Sequence, residues 1–153
     1  FTGEYEKKAD TLSVLDPFYQ SKSASEPEKK FAEFLNQKTD EIEWWYKNGE
    51  RDGRFFAVPY ELNGEPTPFY VDWIVKYKDG KIGLFDTKAG ITARDAKERA
   101  EGLAKYIKSE NEKGKNLFGG IVIEKDGSFW YNDKENFIYD ENRFIELGWK
   151  VLS

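Results

Sequence analysis

The chain has 153 residues, 24 Lys and Arg against 29 Asp and Glu, a net charge of −5, and neither cysteine nor histidine. That length fits one domain with a real core, and the acidic balance argues against a strong nucleic-acid binder acting alone. Disulfides, ordinary zinc sites and the Ser-His-Asp and Cys-His nucleophile systems are excluded, so any catalysis falls to carboxylates, Lys, Tyr, Arg or a hard metal ion.

In chain order, residues 1–24 read as an arm, a short helix or a linker, with the apolar cluster Leu12-Ser13-Val14-Leu15. A domain is expected over 25–153. Ser25 caps a helix running to about Gln37, with Pro27 in its first turn, where proline is tolerated. Its apolar stripe is Phe31, Phe34 and Leu35, and Glu28 falls on the same stripe. Taken by position alone, Glu28 is equally an acid favoured by the helix dipole. Ile42 to Tyr46 reads as a strand. Asn48-Gly49 and Asp52-Gly53 mark turns, and Arg54 to Leu62 a further strand whose Pro59 points to an edge. Asn63-Gly64 then turns the chain into a hairpin.

That hairpin, Phe69 to Gly90, carries the chemistry. Phe69 to Tyr77 and Ile82 to Phe85 are rich in aromatic and β-branched residues, as strands are. A two-residue turn at Asp79-Gly80 would put Asp72 and Asp86 on opposite faces. A three-residue loop, Lys78-Asp79-Gly80 with Gly80 left-handed, pairs Tyr77 with Lys81 and Asp72 with Asp86. The longer loop is the one expected, and it sets Asp72, Asp86 and Lys88 on one face. Beyond Gly90, Thr92 is expected to cap a helix reaching about Ser109, with Asp95 completing a capping box. Ala93, Ala96, Ala100, Leu103, Ala104 and Ile107 form its inner face; Arg94, Lys97, Glu101, Lys105 and Lys108 face out. Asn111 to Asn116 reads as a loop, Leu117 to Glu124 and Ser128 to Asn132 as strands. A short helix is expected near Glu141 to Leu147 and a last strand over Trp149 to Leu152. The fold class is α/β, a mixed sheet flanked by helices.

Two carboxylates about 4 Å apart repel by roughly 4 kcal/mol at an effective dielectric near 20. A divalent cation between Asp72 and Asp86 removes that cost, and oxygen ligands without imidazole suit Mg²⁺ or Mn²⁺. The carbonyl of Thr87 is a further hard ligand, and Glu28 a candidate for a metal-bound water or second ion. Lys88 would orient or help deprotonate an attacking water and stabilise a pentavalent transition state. The spacing D-x13-D-x-K is a weak pattern by itself; two solvated acids at strand ends and a surface lysine explain it equally well.

The segments SEPEKKFAEFL, IEWWYKN, FAVPYEL, PFYVDWIVKYKDGKIGLFDTKAG and LAKYI resemble the PD-(D/E)XK nuclease superfamily. They are most similar to the C-terminal nuclease domain of type III restriction enzyme-like helicase subunits. The likeness runs from about Ser25 to Glu124. It implies a restriction-endonuclease-like core, Glu28 as the helix acid, Asp72 and Asp86 as metal ligands, and Lys88 as the catalytic lysine. It also implies Mg²⁺-dependent hydrolysis of DNA phosphodiesters. The chain departs from the pattern at Val71, where a proline usually precedes the first acid. The implied partners are DNA, a helicase or ATPase motor on the same full-length chain, and a modification methyltransferase subunit. This sequence holds no P-loop, and with no Met at position 1 it reads as a C-terminal piece of something longer. Arg94, Lys97, Lys105 and Lys108, with Arg51 and Arg54, are candidate DNA contacts. Other readings are an RNA-directed nuclease, or a non-catalytic module docking through exposed Trp44, Trp45 and Trp130. No apolar run is long enough to span a membrane and no signal peptide opens the chain, so a cytoplasmic setting is expected.

Overall fold

The structure is a computed structural model that describes residues 4–8, 11–15, 18–49 and 55–152, the side chain of Ile91 excepted. Its centre is a mixed sheet ordered β10-β9-β8-β7-β6-β3. These strands are β3 (Ile42–Lys47), β6 (Trp73–Tyr77), β7 (Ile82–Thr87), β8 (Leu117–Lys125), β9 (Ser128–Asn132) and β10 (Trp149–Leu152). Among these six strands only β7 and β8 pair in parallel. A parallel pair needs a long crossover, supplied here by α2 (Gly90–Arg94) and α3 (Lys97–Glu112). Helices flank both faces of the sheet, as expected.

Side chains alternate between the faces of a strand, and this alternation sorts the core into layers. On one face, Phe31 and Leu35 of α1 (Glu26–Asn36) pack on Trp45, Trp73, Val75, Phe85 and Val122. The opposite face of the central strands places Leu84 and Ile74 against Leu103 and Ile107 of α3. Ser25 caps α1 as expected, its hydroxyl accepting the Glu28 amide at 3.4 Å. The inner face of α2 and α3 is also as expected: Ala93, Ala96, Ala100, Leu103, Ala104 and Ile107 are all buried.

The central hairpin takes the longer of the two possible loops. Trp73 pairs with Phe85 and Ile74 with Leu84, and the Tyr77 amide donates to the Lys81 carbonyl at 3.0 Å. Gly80 sits at φ 100°, the left-handed conformation the loop requires.

Several expected elements are different. Phe69 to Tyr77 is not one strand. Phe69 ends β5 (Glu65–Phe69), which pairs with β4 (Val58–Leu62) in a separate two-stranded ladder. Asn63-Gly64 therefore turns the chain into β5. Tyr70 to Asp72 breaks the ladder because the Asp72 amide donates to the Asp86 carboxylate rather than to a strand. Pro59 and Pro68 face each other in that outer ladder, away from the central sheet, where a missing donor is tolerated. The start expected for that strand, Arg54, and the Asp52-Gly53 turn lie outside the described residues.

Thr92 is not a cap. Its hydroxyl donates to Ala89, the residue that precedes α2, and Asp95 ends that helix instead of completing a capping box. The single expected helix is broken at Asp95 and Ala96 because the Ala96 amide bonds back three residues, to Ala93. Such a tightened turn keeps Ala93, Ala96 and Ala100 all facing inward. Glu101 is half-buried rather than outward, because its carboxylate accepts the Phe137 amide at 3.2 Å. Helix α3 extends through Glu112 into the expected loop, and Gly114 at φ 94° follows its end. The segment Glu141 to Leu147 forms turns, not a helix. The described part of the first 24 residues is extended, not helical: β1 (Tyr5–Lys8) pairs with β2 (Phe18–Ser21).

Candidate active site

Asp72 and Asp86 meet where β6 begins and β7 ends. Asp86 is 2% exposed and Asp72 7%. Their arrangement follows from the hairpin register, which sets them directly opposite each other. Asp86 Oδ1 accepts the Asp72 backbone amide at 3.2 Å. Asp72 Oδ2 accepts both the amide and the hydroxyl of Thr87, each at 3.0 Å. The Thr87 hydroxyl in turn accepts the Trp73 indole at 3.4 Å.

Two lysines clamp this pair from opposite faces of the sheet. Lys88 comes from the α3 side and lies 2.8 Å from Asp86 Oδ2. Lys47 shares the face of Trp45 and Trp73 and reaches Asp72 Oδ1 at 3.3 Å. It also sits 5.4 Å above the Trp73 ring. Two buried negative charges are thus met by two positive ones, as burial demands.

Burial, then the neighbouring Asp72 charge, pushes the Asp86 carboxyl up to about 7, against the opposing pull of Lys88. For Lys88, burial is the largest single influence and acts to lower the pKa, but the charge and contact of Asp86 together with the Asp72 charge outweigh it, and the net shift is upward. The buried Asp86 Oδ2 meets the Lys88 ammonium as a close ion pair.

Asp72, Asp86 and Lys88 line one open cleft of about 410 Å³ with Pro68, Tyr70 and Arg99. Three of the four expected site residues are therefore together. Glu28 lines a neighbouring cavity with Tyr46, Lys47 and Trp73, on the sheet face that α1 covers. Lys47 touches both regions, lining the Glu28 cavity and bonding Asp72. Thr87 donates its amide toward Asp72. Because a strand residue's amide and carbonyl leave on the same side, its carbonyl faces the same edge. Among the described residues, no group of three or more acids gathers to hold an ion.

The expected DNA-contact residues of α2 and α3 are exposed, and two of the four are paired with glutamates. Lys97 pairs with Glu101 at 2.9 Å and Lys108 with Glu135 at 3.6 Å, while Arg94 lies over the Tyr139 ring at 5.8 Å. Lys105 is exposed on α3. Arg51 and Arg54 lie outside the described residues. Sequence reasoning missed Lys47 and Arg99. Lys47 ends the run IEWWYK opposite Trp73, a pairing no local pattern announces. Arg99 stands among charged residues of α3 whose spacing says only that they face outward. Trp45, whose exposure would favour the docking reading, is fully buried, and Trp44 and Trp130 are half-buried.

Fold and site together define an α/β protein with a carboxylate–lysine cleft at the end of its central hairpin. The chain belongs to the YagJ family, whose model matches residues 13–134. No curated protein and no solved structure matches it. No helix among the described residues is long and apolar enough to cross a membrane.

Proposed function

We propose that this chain is a metal-dependent nuclease domain of restriction-endonuclease-like, PD-(D/E)XK type, hydrolysing DNA phosphodiester bonds. The observation that carries the reading is the convergence of the buried acids Asp72 and Asp86 with Lys88 in one cleft. Two facing buried carboxylates and a purely oxygen donor set fit a hard divalent cation. Asp72, Asp86 and the Thr87 carbonyl would hold Mg²⁺ or Mn²⁺, which when bound supplies Lewis-acid polarisation and charge neutralisation at the phosphate.

The chain's own residues do the rest. Thr87 fixes the Asp72 carboxylate through two hydrogen bonds, so it is oriented before substrate arrives. The Lys88 ammonium, held by Asp86, is positioned to stabilise charge growing on a phosphate oxygen. Glu28 is not needed for these steps. DNA as the natural substrate, a helicase motor on the same full-length chain and a methyltransferase partner belong to this reading; an RNA substrate would use the same chemistry.

A second reading is favoured by a specific observation: the two acids are already balanced by Lys47 and Lys88. The quartet would then pin the hairpin of a non-catalytic module. The test is cleavage of supercoiled and single-stranded DNA and of RNA with Mg²⁺ or Mn²⁺, comparing the native chain with Lys88→Ala. Metal-dependent cleavage reduced by about 10²-fold or more in the variant supports the nuclease. Absence of cleavage with every substrate, together with no Mn²⁺ binding by calorimetry, supports the pinned module.

A further inference from the structure

Arg99 is the cation of the cleft to which the proposed chemistry gives no role. It projects from α3 into the space lined by Asp72, Asp86 and Lys88. Its guanidinium lies 5.8 Å from the centroid of Phe69, another wall of the same cleft. It is close enough to Lys88 for its charge to oppose the protonation of that amine. Among the described residues, no carboxylate lies within ion-pair distance of it. Lys97 and Lys108 on the same helix differ in this respect, since each is paired with a glutamate.

We infer that Arg99 is a substrate-binding residue, gripping a backbone phosphate of the nucleic-acid strand that enters the cleft. The inference rests on the nuclease reading. A guanidinium held against an aromatic face keeps its planar fork ordered, and that fork matches two phosphate oxygens. Lys88 is engaged by Asp86, so it serves at the reacting group, while Arg99 is left to hold the strand. Its position at the mouth also supplies local positive charge in a chain whose net charge is −5. Such a chain needs local rather than global attraction for DNA.

The test measures anisotropy of a fluorescent single-stranded DNA oligonucleotide at several low salt concentrations, with Ca²⁺ in place of Mg²⁺, for the native chain, Arg99→Ala and Arg99→Lys. Steady-state cleavage with Mg²⁺ is measured on the same proteins and on Lys88→Ala. We expect Arg99→Ala to weaken binding roughly ten- to a hundredfold and to lower the salt slope by about 0.7, the value of one single-strand phosphate contact. KM should rise while kcat changes little, and Arg99→Lys should recover the slope and part of the affinity. Equal affinity and slope for the native chain and Arg99→Ala, with cleavage still lost in Lys88→Ala, overturns the role of Arg99 and leaves the nuclease standing. Arg99-dependent binding without cleavage by any of the proteins supports the phosphate grip and overturns hydrolysis. Absence of both overturns both. A circular-dichroism melt of Arg99→Ala and Arg99→Lys separates lost contact from lost fold.

Discussion

Asp86 is buried beside a second carboxylate, and its pKa of about 7 lies far above the ~3.9 of an exposed aspartate. Between those values the folded chain holds a proton that the unfolded chain has released, so stability falls as pH rises from about 4 to 7. The metal-free protein should therefore melt at a higher temperature near pH 5 than near pH 8, and Asp86→Asn should flatten that profile. A melting temperature that climbs with pH across this window would contradict the burial argument. Under the proposed reading, protons and cation compete for the same carboxylate, so Mg²⁺ or Mn²⁺ should raise the melting temperature at pH 8 more than at pH 5. Lys47 acts on the other acid. Lys47→Ala removes a charge-assisted contact from a 7% exposed carboxylate and should cost about 1.5–3 kcal/mol by denaturant unfolding. A loss below about 0.5 kcal/mol would make Lys47 an ordinary surface lysine.

At the scale of elements, the site depends on the three-residue loop that closes the β6–β7 hairpin. Gly80 has open space around it but φ 100°. Gly80→Ala should therefore cost about 1 kcal/mol through backbone strain alone and leave the cation-induced rise in melting temperature unchanged. Deleting Gly80 should do more. A two-residue loop shifts the pairing by one, and in strands a shift of one sends alternate side chains to the other face. Asp86 would leave the face of Asp72, and the cation response should vanish even in a chain that still folds; its survival would detach the site from the register. This register was legible from the sequence because Lys78-Asp79-Gly80 admits few loops and a glycine tells them apart. The inner face of α3 was legible for a similar reason, since buried alanines at helical spacing are a local signal. Lys47 was not, because the pairing of β3 with β6 joins residues 25 apart in the chain. Neither was the cavity that Glu28 lines. The residue's place on α1 was readable, but which sheet face α1 covers depends on the whole topology, and α1 takes the face opposite Lys88.

For the molecule as a whole, the first 24 residues test where the folded unit begins. They are expected to be an arm; of their described part, β1 and β2 form a ladder of their own, while Leu12 to Val14 bond to the edge of the main sheet. The Val14 amide donates to the Trp45 carbonyl at 2.8 Å, and the Trp45 amide to the Leu12 carbonyl at 3.0 Å. Ser13 thus forms a parallel bridge with Trp45, at the β3 edge of the sheet. Asn36 ties the same place to α1, its side-chain oxygen accepting the Leu12 amide at 2.9 Å and the Trp45 indole at 2.8 Å. Phe18 packs edge-on to Trp45 with ring centroids 4.9 Å apart. Trp45, 0% exposed, contacts Trp73, whose indole holds Thr87. The chain of contacts therefore runs from Phe18 to the residue that orients Asp72. Phe18→Ala removes a half-buried ring and should cost about 2–3 kcal/mol, lowering the melting temperature by roughly 5–10 °C. Tryptophan emission should shift to the red as water reaches Trp45. A chain beginning at Ser25 should show both effects more strongly, because it also exposes the β3 edge and leaves the Trp45 amide without its partner. If that shorter chain melts and fluoresces like the full one, Trp45 is shielded by α1 and the sheet alone, and the first 24 residues are a separable arm. If it loses stability and cation response together, they belong to the structural support of the site.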